Sequence, residues 1–171
     1  MDSIKHFQTL ALYNAWATQR LLQAVELLSD GDHRRDCGLF FKSIHGTLNH
    51  LLVGEHRLWR VRFQGGVPQV ASLAKEIEPN RQALAFALLL EAQAWSPLIV
   101  LWEPSRFDGV LQYTTMRGTV HSLPFAATLW HVFNHSTHHR GQITAALTAM
   151  GQPAPELDMV YMLQAENKPN A

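Results

Sequence analysis

Apolar residues recur at spacings of three and four along four stretches of the chain, and polar punctuation divides those stretches into helices. The first runs from Ser3 to Leu28, with Phe7, Leu10, Tyr13, Ala17, Leu21, Ala24 and Leu28 on one face, and Asp30-Gly31-Asp32 ends it. The second runs from Phe41 to Phe63 and turns Ile44, Leu48, Leu51, Leu52, Leu58 and Trp59 inward before Gly65-Gly66 and Pro68 stop it. The third opens at Asn80, a good N-cap, and carries Leu84, Leu88, Ala92, Trp95, Ile99 and Trp102 inward. Pro97 lies within this third pattern. A proline there removes a helical hydrogen bond and collides with the preceding turn, which predicts a kink or a fresh segment at Ser96-Pro97. The fourth helix starts at Ser122 to Pro124 and closes at Gly151-Gln152-Pro153.

Between the third and fourth helices the period changes. Val110 to His121 is rich in β-branched and aromatic residues around Arg117-Gly118, which predicts a hairpin or extended crossover. After Pro155 the tail carries one more helical turn around Leu157 to Leu163 and then frays. The expected fold is all-α: a single four-helix-bundle domain over residues 1–171, with a short extended or hairpin crossover between helices 3 and 4. A chain of 171 residues, 47% of them hydrophobic, can fill one core but not two comfortable ones.

Charge removes several classes of partner. The chain has 14 basic and 14 acidic residues and no basic run, so nothing attracts nucleic acid or an acidic membrane surface. Its longest purely apolar run, Ala83 to Leu90, is far short of the roughly 20 residues that span a bilayer. Its start, Met-Asp-Ser-Ile-Lys-His-Phe, has no apolar signal region, so a cytoplasmic location is expected. Cys37 has no second cysteine to pair with, and with it goes any zinc-finger spacing.

The candidate chemistry lies in Leu129 to Ile143, which holds four of the ten histidines. As a helix this stretch stacks His131, His135 and His139 along one stripe, with His138 to the side. Two imidazoles at i and i+4 can reach one ion, so His135 and His139 are half of a metal site. Helix two offers His45, His50 and His56 on different sides. Around His50 the small residues Gly46, Gly54, Thr47 and Val53 leave a hollow, whereas His45 and His56 suit a solvated face. His50, His135 and His139 with a fourth position free would match the coordination of catalytic rather than structural zinc. The plainer reading is that ten histidines produce such a pair by chance. His131 reads as a packing residue beside the site and His138 as an edge residue.

No Asp or Glu falls on either histidine stripe; Glu55 and Glu91 are the nearest, and Glu55 points well away from His50 on an α-helix. Gln142 shares the stripe of His135, and Arg57 lies two turns beyond His50, so both are candidate substrate contacts. Arg57 in a pocket would favour a carboxylate-bearing ligand. Arg140 leaves the stripe and suits a role between helices.

Phe41-Lys-Ser-Ile-His-Gly-Thr-Leu-Asn-His50 followed by Glu55 and Trp59, then His131-Val-Phe-Asn-His135 and His139-Arg-Gly-Gln142, resembles the DinB/YfiT-like family of bacterial four-helix metalloproteins. Tyr13-Asn14-Ala15-Trp16 resembles that family's first helix, although Thr18 stands where a second Asn is common, and Gly151 to Asp158 resembles its C-terminal segment. The resemblance implies an up-down-down-up bundle, often a homodimer, with one divalent transition-metal ion, zinc or nickel first, held by His50, His135 and His139. It also implies a small-molecule substrate. Members with an assigned activity are thiol S-transferases and isomerases using a low-molecular-weight thiol, and others are described as metal-dependent hydrolases. A protein that binds or senses metal without turnover is the remaining alternative.

Overall fold

The computed structural model describes residues 2–115 and 117–166. Helix α1 (Ser3–Glu26) is capped by Asp2, whose carboxylate accepts the Lys5 N–H. A short helix the periodicity does not predict, α2 (Asp30–Arg34), follows it under a Ser29 cap. The second long rod is α3 (Ile44–Leu51), a π-helical segment (Leu52–Trp59) and α4 (Arg60–Phe63), running end to end. Ser43 caps α3, and Gly46 is required beside it, because a Cβ there would lie 2.2 Å from the Phe41 carbonyl oxygen. Helix α5 (Arg81–Gln93) opens under the predicted Asn80 cap, and α6 (Trp95–Ile99) continues its direction. The break falls at Ala94, which leaves Pro97 in the first turn of α6, where no N–H is needed.

A 3₁₀ turn (Pro104–Asp108) leads into an antiparallel hairpin of β1 (Val110–Thr114) and β2 (Val120–Pro124). The register runs from Val110 opposite Pro124 to Thr114 opposite Val120. Helix α7 (Phe125–Ala149) begins one residue after Pro124, so Ser122 belongs to the strand and not to the helix start. It ends in a Schellman motif: Gly151, at φ 72°, lets the Gln152 N–H reach the Leu147 carbonyl. A final helix, α8 (Met159–Glu166), packs on α1.

Helix α1 packs mainly on α5, α6 and α7, and the α3 rod packs mainly on α5 and α7. Consecutive long helices therefore sit at two diagonals of the bundle, which is why residues 27–43 and 100–124 form long connections. No described helix is long and apolar enough to cross a membrane.

The core has two apolar halves. One gathers Leu21, Ile44, Leu48, Leu84, Leu88 and Leu147, and the other Phe7, Phe63, Trp95, Phe107, Phe125 and Phe133. Between them, along every long helix, lies a buried polar residue: Asn14 on α1, Glu55 on the π-helical segment, Glu91 on α5, and His139 and Arg140 on α7. The bundle has a polar waist. A buried polar group costs stability unless it is paired, so a belt of them marks the level at which function is to be sought.

His45 and His56 depart from expectation, being buried rather than solvated. His45 Nε2 lies 2.9 Å from Glu76 Oε1, and the Asn49 side-chain oxygen accepts the N–H groups of Ile77 and Glu78 at 2.9 Å each. These contacts pin the 64–80 connection against α3. His56 and His33 are both held at a pKa of about 4, first by burial and then by nearby arginines. Free imidazole titrates near 6.5, so below that pH the unfolded chain takes up protons that the fold refuses. The stability these two groups supply is complete above pH 6.5, falls as pH drops from 6.5 toward 4, and is fully lost by about pH 4. Urea unfolding at pH 7.5 and pH 5 should show a loss on the order of 2 kcal/mol per imidazole. Unchanged midpoints would show that His33 and His56 are protonated in the fold.

Candidate metal centre

His135 and His139 stand one turn apart on α7, and His50, in the last turn of α3, faces them across the helix pair. His50 Nε2 is 3.1 Å from His135 Nε2, and His139 Nε2 is 3.2 Å from the same atom. Ligand nitrogens about 2.0–2.1 Å from a tetrahedral ion lie about 3.3 Å apart, so His135 stands from each of the other two as a shared ion would set it, and all three ligand atoms lie within 4.8 Å of one another. Among the described residues these three form the one group of histidine, cysteine or carboxylate side chains that could hold a metal ion.

What lies behind each ring strengthens that reading. His50 Nδ1 is 2.9 Å from the Leu73 carbonyl oxygen, His139 Nδ1 is 2.8 Å from Gln142 Oε1, and His135 Nδ1 is 3.5 Å from Glu55 Oε1. The oxygens at His50 and His139 cannot donate, so these two imidazoles carry their protons on Nδ1 and turn a lone pair toward His135. A cation among the three rings would take up those lone pairs. Burial lowers the pKa of His50, and it takes that of His139, with help from His135, to about 4, so both rings are neutral as ligation demands. Phe41 stacks on the His50 ring at 3.8 Å and closes that side.

Glu55 corrects the expectation that it points away from the site. It is buried, 3% exposed, behind His135. Five residues of α-helix would set it about 140° from His50. The wider winding of the π-helical segment, bonded i to i+5, brings it round toward α7. Burial pushes the Glu55 carboxyl up, but His135, His56, the Ser136 hydroxyl and Arg140 together outweigh burial and hold it below the usual carboxylate range. Arg140, also buried, bonds Asn14 and Thr137 and lies over the Tyr13 ring. The waist thus brings Glu55 against His135 and within range of the Arg140 charge, and carboxylate–histidine pairs of this kind orient metal ligands and raise their basicity.

The same winding resets the face that the rod presents to the cavity over the histidines. That cavity, about 670 Å³, is lined from the rod by His50, Gly54, Leu58 and Arg62, spaced four residues apart, with Trp59 beside them. In an α-helix such a row would drift by about 40° per turn. The π-helical turns keep it in line. A Cβ on Gly54 would lie 3.6 Å from His135 Cε1 and 3.8 Å from His50 Cε1, so glycine is what leaves the histidines open to the cavity.

Arg57, expected on this stripe, does not line the cavity; it is half-exposed and bonds Glu91 at 2.8 Å, beside an Arg60–Glu91 pair. Gln142, expected to touch substrate, instead orients His139. His131 lies at the rim, edge-on to Trp59, and His138 is exposed at the edge. The far wall comes from the hairpin and adjoining turn, through Tyr113, Thr115, Arg117 and His121. Arg62 and these hairpin residues carry no signal in helical periodicity, and only the fold assembles them. No Asp or Glu lines the cavity among the described residues.

Comparison with known proteins gives a family match over nearly the whole chain. The DinB family model matches residues 2–170. The chain is 25% identical over 154 residues to "Protein DinB" of Bacillus subtilis (strain 168), covering 85% of this chain and 87% of that protein. No solved structure matches the chain significantly.

Proposed function

The chain belongs to the DinB family, and from that premise we propose that it is a divalent-metal-dependent S-transferase, joining a small thiol to an electrophile. The observation that carries this reading is the convergence of three Nε2 atoms, each backed by an oxygen at Nδ1, under a cavity that Gly54 keeps open. His50, His135 and His139 would hold the ion, with zinc or nickel the first choices for three imidazoles. A divalent ion there lowers the pKa of a thiol or water at its open position.

The protein's own groups favour the thiol. A hydrolase would want a carboxylate facing the nucleophilic water, and the one carboxylate at the site, Glu55, is behind His135 and outside the cavity. His131 faces the cavity with its ring 5.8 Å from that of His135; burial and His135 lower its pKa, so it is neutral and able to accept the thiol proton. With an alkyl chloride as electrophile, the new C–S bond forms as the C–Cl bond breaks. Chloride then leaves with the electron pair, and the thiol proton passes to His131 or to water.

The test is elemental analysis of the purified protein together with thiol consumption. Glutathione, bacillithiol, mycothiol and cysteine would each be offered with monochlorobimane to wild type and to His50→Ala. The expected result is near-stoichiometric metal and a thiol–bimane adduct that disappears in the variant. Metal without turnover would leave a hydrolase or a non-catalytic binder, and absence of metal would overturn the reading.

A further inference from the structure

The cavity has a cation that no ion pair neutralises among the described residues. Arg62 is 93% buried by its 7% exposure, and its guanidinium lies 4.7 Å from the centre of the Trp59 ring and 4.1 Å from that of Tyr113. Among the described residues it makes no ion pair, and its Nε is sealed from solvent with no acceptor. The other buried or partly buried arginines differ: Arg60 is paired with Glu91, Arg81 with Asp30, and Arg140 is bonded to Asn14.

Aromatic faces offset part of the cost of burying a charge but accept no ordinary N–H hydrogen bond. The sealed Nε is out of a ligand's reach, so what Arg62 can offer the cavity it lines with His50 and His135 is the N–H groups of its two terminal nitrogens. Arg117, exposed on the hairpin wall, adds a second positive charge to the same space, with no acidic residue lining it among the described residues. A planar oxyanion is the group that two fixed N–H donors of a guanidinium match.

We infer that Arg62, assisted by Arg117, is an anion subsite that recognises a carboxylate on the substrate, at the wall of the cavity away from the histidines' backing oxygens. This inference deepens the proposed transferase reading and rests on it only in taking this cavity as the substrate site. It moves the carboxylate-binding role expected of Arg57 to a residue one π-helical register away. A substrate thiol or electrophile would then be selected by its charge at one end and by its reacting atom at the other.

The test uses a probe without sulfur, so that it reads the subsite whether or not thiol transfer occurs. Glutarate, its neutral diamide and inorganic phosphate would be titrated by calorimetry into metal-loaded wild type, Arg62→Gln, Arg62→Lys and Arg117→Gln. Metal content and thermal melting would be recorded for each. Wild type should bind glutarate at least tenfold more tightly than the diamide. Arg62→Gln should abolish that preference at unchanged metal content, and Arg62→Lys should restore part of it. Arg117→Gln, an exposed hairpin change that cannot unfold the core, should reduce the preference severalfold and keeps the test valid if Arg62→Gln does not fold. The inference is overturned if wild type does not distinguish acid from diamide, or if folded Arg62 and Arg117 variants discriminate as wild type does. Tighter binding of phosphate than of glutarate would overturn the carboxylate assignment. A glutarate preference without thiol turnover would overturn the transferase reading and leave the subsite standing.

Discussion

His135→Ala should strip the ion from the protein while leaving the bundle folded. Its Nε2 is the atom common to both short nitrogen contacts, 3.1 Å to His50 and 3.2 Å to His139, so its loss leaves two ligands and no centre. Affinity should fall roughly a thousandfold or more, about 4 kcal/mol or beyond. The fold should survive because its two apolar halves, around Leu48 and Leu88 and around Trp95 and Phe125, close without the histidines. Elemental analysis after dialysis measures the first effect, and thermal melting of metal-free protein the second. His138→Ala is the control: it alters an exposed neighbour on the same helix and should keep its metal. Stoichiometric metal in His135→Ala would dismiss this centre, and unfolding on metal loss would make the ion structural.

Glu55→Gln should act through two separable channels. The amide still offers an oxygen to His135 Nδ1 but no charge, so metal affinity should drop about 10- to 100-fold. The same change leaves buried Arg140 without the carboxylate that supports its charge, and burial already lowers the pKa of that guanidinium. No direct contact joins the two, so losing this nearby charge should cost less than breaking a buried ion pair, on the order of 1–3 kcal/mol. Adding Arg140→Met should recover much of that stability and none of the affinity. A double variant that regained both would mean that Glu55 is a structural partner of Arg140 alone.

The sequence makes the ends of this molecule easier to read than its waist. A period of 3.6 exposes Leu84, Leu88, Ala92, Trp95 and Ile99 as one buried face, and Asn80 and Gly151 act as the punctuation they resemble. The pair His135 and His139 is legible because i, i+4 neighbours share a helix face. The small residues around His50 were a second usable signal, and Gly54 is the reason a hollow exists there. What escaped were contacts that no side-chain period encodes. Leu73 helps His50 through a backbone carbonyl, placed there by a connection that Asn49 anchors. Glu55, His56 and Arg57 take their faces in the sequence from α-helical winding, and the π-helical segment between Leu52 and Trp59 turns less per residue. Glu55 and His56 are therefore buried where that winding turns them outward, and Arg57 lies off the cavity that Arg62 lines.

That segment also separates two kinds of change in the molecule. His50 lies before it and Arg62 after it, so a one-residue deletion within Leu52–Trp59 would let the rod rewind as α-helix and rotate Arg62 relative to His50. The histidines on α3 and α7 would keep their places, while the wall facing the hairpin exchanged one set of side chains for another. A scaffold built this way can be refitted for a different ligand by altering its length at one point, without touching the three histidines of the candidate metal centre.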